Sequence, residues 1–363
     1  MTVTDDPAAA TTRDGGEPVA ACDAVLRHVV DVHCHPTDSP ATLSPDSMHR
    51  LPITICPMAS RKSDQPLVRA LAQAHPDKVI PGFGYHPWFS HQIATEPVIS
   101  KRHHYSSIFL KAPIKSDHED LFNELLESLP DPILLTDVLA ELKQNLTDFP
   151  NAMLGEVGID RSFRIPIDFD VSPRKLTPFT VPLEHQISIV EAQLQVAVDL
   201  GRNVSFHSVK AQKATLDLID RMVEKHGDRW YRISADMHSC GFSPQTWTDV
   251  QKKHGNIFLS LSTTINEKSP NHRELIAVCS PNRLLVESDF NDIRGCAERT
   301  WEMVKIIADV KGWVVEDEWV EGDVLEEDWG VVRRLERSFR LFKQGQHTLP
   351  TRKRSAATSK GTS

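Results

Sequence analysis

The chain has 363 residues, 40% of them apolar and 25% charged, with a formal net charge of −9. That length fits one large α/β barrel or two average domains, and the composition is that of a soluble globular protein. The acidic balance excludes a general attraction to nucleic acid or an anionic membrane, and no apolar run approaches the ~20 residues of a membrane span.

Residues 1–24 are small, polar and rich in Pro and Gly, which predicts a disordered tail. They lack a long apolar core of the secretory type, and none of the six cysteines forms a CxxC pair. Both facts point to free thiols in a reducing compartment, cytoplasmic or nuclear. Eight apolar runs follow, at 29–35, 53–56, 82–86, 153–156, 203–207, 233–238, 256–262 and 284–289. Helical patterns separate them. The clearest is Leu183–Leu200, with Ile187, Val190, Leu194 and Val198 on one stripe and Gly201 as a stop. Another starts after Ser243 and stops at Gly255, and a third spans 296–310 before Gly312. Short β-rich runs alternating with helices predict βα units around a parallel sheet. The barrel is expected over 25–345.

Two stretches break the rhythm. Residues 91–150 are too long for one crossover helix and predict an insertion after the third strand, with a polar loop and helices at 121–129 and 136–146. Residues 313–329 combine many acids with tryptophan and valine anchors, which predicts packing against the barrel. Residues 346–363, containing TRKR, predict a basic disordered tail.

Six of the eight runs end in a residue able to bind a metal. His86 closes a run of its own and suits substrate. The others are His33, His35, Glu156, His207, His238 and Asp289, four imidazoles and two carboxylates. His33 and His35 are two apart on a strand, so alternation puts both on one face. In a parallel barrel the strand C-termini meet on one face and supply catalytic groups from several strands. Such a set suits two adjacent divalent cations, which polarise a substrate and acidify a shared water. Asp289 is placed to take that water's proton. Imidazole favours Zn²⁺ or Mn²⁺ over Mg²⁺, although the mixed set leaves the metal open. Asp31 is a candidate acceptor for an imidazole N–H, Asp160 a candidate for orienting a neighbour, and Cys34 points away into packing. His103 and His104 are read as a solvated loop.

The motifs DVHCHP, GYHPW, LGEVGID, FHS, DMHSCGF and LLVESD occur in this order over residues 31–289. They resemble those of the TatD family of metal-dependent hydrolases. The flank LGEVGIDRSFR resembles the fungal branch described as interacting with an anaphase-promoting complex subunit. The resemblance implies a TIM (β/α)8 barrel of the metal-dependent hydrolase type. It implies His33, His35 and Asp289 on one ion, His207 and His238 on the other, and Glu156 between them. It further implies that His86 contacts a scissile phosphate and that the substrate is DNA or nucleotide-like. Two departures stand out: Phe290-Asn291 follow Asp289 where the family has a small residue and proline, and Val209-Lys210 stand where an arginine is common. The competing expectations are hydrolysis of an amide, ester or lactone, and an adaptor barrel docking a cell-cycle protein through its insertion.

Overall fold

The computed structural model describes residues 22–110, 116–171 and 173–347. Eight parallel segments form the barrel wall: β1 (Val30–Cys34), β2 (Thr54–Pro57), β3 (Gly82–Phe83), β4 (Met153–Asp160), β5 (Val204–Val209), β6 (Ala235–Met237), β7 (Ile257–Leu261) and β8 (Leu284–Val286). Strands β3 to β8 make one continuous ladder, and β1 pairs with β2. The seams are closed by parallel bridges Ile55–Val79 and Met58–Gly82 on one side. On the other, Asp289 N–H donates to His33 O at 3.0 Å and His35 N–H to Phe290 O at 2.8 Å. The last contacts draw two expected metal ligands, His35 and Asp289, to one rim.

The helices form where stop and cap signals predicted. Leu183–Leu200 ends at Gly201 with φ 63°, and Ile293–Lys311 ends at Gly312 with φ 65°. Pro244–Lys253 begins after Ser243, whose hydroxyl accepts from Thr246 N–H at 3.1 Å. Fully buried apolar side chains such as Ile55, Phe83, Leu154, Leu194 and Leu259 fill the space between strands and helices. No helix among the described residues is long and apolar enough to cross a membrane.

The insertion carries more structure than its sequence announced. Lys101–Phe109 is a helix capped by Ser100, where a polar loop was expected. Its His104 is buried and bonds through Nε2 to His91 O at 2.7 Å, so it belongs to packing, whereas His103 is exposed. The two expected helices are Ser116–Ser128 and Leu135–Asp148. A short ladder pairs Ile93–Ala94 with Ile133–Leu134. Tyr105, Phe122, Leu125 and Leu129 form a separate apolar cluster with Ile165, Phe179 and Val181 from the loop after β4. The insertion and that loop therefore fold as one cap. The 313–329 stretch packs as expected: Trp319 stacks on His28 at 3.5 Å, and Arg333 and Arg334 lie over Trp319 and Trp313.

The expected tails lie mostly outside the described residues. Their inner ends are ordered, because Asp23–Leu26 is helical and the backbone of Gln346 and His347 bonds to Arg232 and Tyr231.

Candidate metal centre

All six residues predicted as metal ligands, and His86, converge at the C-terminal rim of the barrel. Glu156 is the hub. Its Oε1 lies 2.7 Å from His207 Nδ1, 2.7 Å from His238 Nε2 and 3.2 Å from His86 Nε2. Its Oε2 lies 3.2 Å from His35 Nε2 and 3.6 Å from His33 Nε2. Asp289 Oδ1 faces the same two rings at 3.6 and 3.9 Å. One carboxylate oxygen thus serves each imidazole pair. Within each pair the ring nitrogens face one another at 3.1 Å, His33 to His35 and His207 to His238.

The outer ring nitrogens decide which atoms face inward with lone pairs. His33 Nδ1 lies 2.7 Å from Ser205 Oγ, leaving Nε2 for the centre. His207 is reversed: its Nε2 points to Asp160 Oδ2 at 3.4 Å, and Nδ1 faces the centre. A ring N–H directed at such an acceptor fixes the tautomer of a metal-binding histidine. His238 Nδ1 has Glu287 Oε1 at 3.8 Å, beyond hydrogen-bond reach, and is buried with no hydrogen-bond partner. His86 differs from the rest. Its Nδ1 accepts from Trp88 N–H at 3.1 Å, so a neutral ring carries its proton on Nε2. That makes His86 a donor toward the centre rather than a ligand.

The electrostatics agree. Burial works against the charge on Glu156, but His86, His238 and His33 outweigh it and hold the carboxyl well below its usual range. Burial likewise opposes charge on His35, yet Glu156 and Asp289 push it up to about 10. His207 and His238 are raised against the same burial, with Glu156 favouring the proton on both, joined by Asp160 at His207 and by Glu287 at His238. His86 is pulled down to about 4 by burial and stays neutral at pH 7. A set of imidazoles that faces inward in pairs and gathers protons around one carboxylate fits divalent cations, which would replace those protons.

A layer of polar residues lies beneath. Asp31, Ser205, Asp236 and Glu287 each precede a site residue by two positions, so alternation turns them inward. Glu287 accepts from Ser239 N–H at 2.7 Å and from Ser260 Oγ at 2.6 Å, which commits the single Ser260 proton; Asp236, which burial pushes up to about 8, keeps its own proton and donates to Ser260 Oγ at 2.7 Å. Asp31 does not take an imidazole N–H as expected. It accepts from His33 N–H, Ser288 N–H and Ser288 Oγ, and Ser205 takes the imidazole instead. Asp160 does orient His207 and also accepts Trp88 Nε1 at 2.6 Å. Sequence reasoning missed Glu287, Ser205 and Trp88; the two-residue offset from a ligand was the available signal for the first two.

The backbone is shaped for this convergence. Asp289 has φ 45° and Ser239 φ 40°, left-handed values uncommon for residues with a Cβ. Gly158, opposite His207 in the ladder, has φ 155°, and a Cβ there would lie 2.0 Å from His207 O. The centre opens into a cleft of about 520 Å³, whose mouth includes Phe290, Asn291 and Val209, the positions where the chain departs from the motif pattern.

Comparison with known proteins agrees with this geometry. The family model TatD related DNase matches residues 30–320. The chain belongs to the TatD family. It is therefore a hydrolase built on the barrel of that family. A relative in Schizosaccharomyces pombe, named Cut9-interacting protein scn1, is 28% identical over 335 residues, 80% of this chain and 95% of its own length. An uncharacterized deoxyribonuclease of Saccharomyces cerevisiae is 26% identical over 275 residues, covering 73% of this chain and 84% of its own. The crystal structure of a TatD homologue from Escherichia coli superposes with a TM-score of 0.54 at 16% identity, covering 87% of this chain and 98% of its own.

Proposed function

We propose that this TatD-family protein is a two-metal phosphodiesterase. The observation that carries the reading is the division of Glu156, one oxygen facing His33 and His35 and the other His207 and His238. Asp289 joins the first pair. Bound divalent ions at these residues supply Lewis acidity and a more acidic water. The imidazole majority suits Zn²⁺ or Mn²⁺.

The chain's own groups then divide the work. Asp289, a carboxylate at the rim, takes the proton of the attacking water. His86 donates Nε2–H to a phosphoryl oxygen, a neutral donor held in place by the Trp88 amide. Such a fixed donor favours the transition state because charge grows on that oxygen as the bond breaks. Phosphodiester specificity draws support from the matched DNase family and from the relative named a deoxyribonuclease.

The test uses chelator-stripped protein reloaded separately with Zn²⁺, Mn²⁺ or Mg²⁺. Metal-dependent cleavage of bis(p-nitrophenyl) phosphate, absent in Asp289→Asn, is expected. Cleavage of carboxylic esters, amides or lactones with phosphodiesters untouched would overturn the proposal. A second role, docking a protein partner on the exterior, is favoured by the relative named for its interaction with Cut9. Co-purification with the cognate partner, retained in Asp289→Asn, tests it.

A further inference from the structure

The cleft at the metal centre, of about 520 Å³, falls within the ~300–1,000 Å³ usual for small-molecule sites. Outside the candidate ligands its lining is poor in positive charge. Arg61 is the only lysine or arginine there among the described residues, and both its terminal nitrogens bond Asp170 Oδ1 at 3.1 Å. Asp38 adds an exposed carboxylate to the same mouth. A nucleic-acid strand brings further phosphates on either side of the one being cut, and proteins meet these chiefly with lysine and arginine. This mouth offers them a single cation, already shared with an acid.

Its other resource is apolar surface, held in place by the metal-bearing strand ends. Phe290 directly follows Asp289, and its carbonyl accepts His35 N–H at 2.8 Å, so its backbone is tied to two candidate ligands. The ring is fixed as well. The Arg299 guanidinium lies over it, 4.0 Å from the centroid. Gly295 makes room at its edge, since a Cβ there would stand 2.7 Å from Phe290 Cε1. The rest of the ring, half-buried, lines the cleft. Ile265 lines the same mouth and is 53% exposed. The short helix that carries it, Thr263–Asn266, is pinned to the end of β8, because Thr264 Oγ1 donates to Ser288 O at 2.6 Å. Ser262 Oγ accepts Ile265 N–H at 3.2 Å. Strands β7 and β8 are neighbours, so the two apolar side chains come from adjacent strand ends. An apolar group seated against both would remove water from surface that the fold leaves open.

We propose that the metal cleft serves small phosphodiesters bearing an apolar substituent, received by Phe290 and Ile265, and that polymeric nucleic acid is not its substrate. The inference rests on the phosphodiesterase reading and names the substrate class within it.

The test compares two diesters with one leaving group on the metal-loaded protein, butyl and methyl p-nitrophenyl phosphate. Three methylenes separate them, each worth about fourfold when fully buried, so half-burial should favour the butyl ester about eightfold in kcat/KM. Phe290→Ala and Ile265→Ser should each cut that preference at least twofold, and together abolish it. Calorimetry supplies a reading without turnover: dibutyl phosphate should bind at least fivefold tighter than dimethyl phosphate, and the double variant should close the gap. Oligothymidylates of two and eight residues, competing with the butyl ester, should inhibit equally per phosphodiester. Equal cleavage of both esters, or equal loss of both in the variants, would overturn the apolar seat. A gain of more than threefold per phosphodiester with strand length would overturn the exclusion of nucleic acid. Either result leaves the phosphodiesterase standing. Cleavage of neither ester would overturn the phosphodiesterase, and calorimetry would then decide the seat, equal binding of the two phosphates refuting it.

Discussion

Asp160→Asn probes the orientation of His207. The wild-type carboxylate accepts five hydrogen bonds: Oδ1 from Ser162 N–H at 2.6 Å, Ser162 Oγ at 2.8 Å and Phe163 N–H at 3.1 Å, and Oδ2 from Trp88 Nε1 at 2.6 Å and His207 Nε2 at 3.4 Å. An amide must turn its NH2 toward one of these groups. Facing Ser162 and Phe163, it leaves two backbone N–H donors without an acceptor. Facing Trp88 and His207, it orphans the indole and pushes the imidazole proton onto Nδ1, the atom turned toward the metals. A buried donor without an acceptor costs about 1–3 kcal/mol, so the variant should lose about 2–4 kcal/mol. With an unfolding entropy of about 2.1 cal/mol/K per residue, 1 kcal/mol shifts a chain of this size by roughly 1.3 °C, so the melting point should fall by about 3–5 °C. Loss of a carboxylate supporting a histidine ligand should weaken metal binding about 10–100-fold. Differential scanning fluorimetry and metal titration against a fluorescent chelator measure both. Unchanged melting together with affinity within twofold of wild type would refute the tautomer argument.

His86→Ala should lower kcat about 10²–10³-fold, the usual loss of one transition-state donor, with metal content unchanged by elemental analysis. Metal uptake should release protons at pH 7, because His207 and His238 are raised and His35 is held up to about 10 by Glu156 and Asp289 against burial. Affinity should therefore rise with pH and fall on acidification, and pH-stat titration during metal addition counts the protons; zero release would contradict the ligand set. Leu142→Ala, truncating a fully buried side chain on an insertion helix, should cost about 2–5 kcal/mol by urea unfolding, whereas a loss under 1 kcal/mol would mean the insertion does not share the barrel core.

The barrel was legible because its strands are apolar runs and its helices carry caps and glycine stops. Each candidate ligand stood out as a histidine or acid ending such a run. The partners were harder. Ser205 sits inside β5 and Glu287 directly follows β8, and both look like ordinary polar interruptions until a candidate ligand two residues later fixes which face they share. Asp31 followed the same rule, but its acceptors were claimed by Ser288 and a backbone N–H, a competition that only the fold decides. The helix Lys101–Phe109 was read as loop because its basic start masks the apolar contacts of Tyr105 and Ile108. The pairing of Ile265 with Phe290 at the cleft mouth could not be read, since only the fold joins the loops after β7 and β8.

The most direct test of the account is a metal titration of stripped protein followed by hydrolysis of bis(p-nitrophenyl) phosphate. Activity should rise until two equivalents of Zn²⁺ or Mn²⁺ are bound per chain and then level off. His238→Ala should hold one ion and show little turnover. A plateau at one equivalent would contradict the paired site, and no phosphodiester cleavage at full loading would contradict the function.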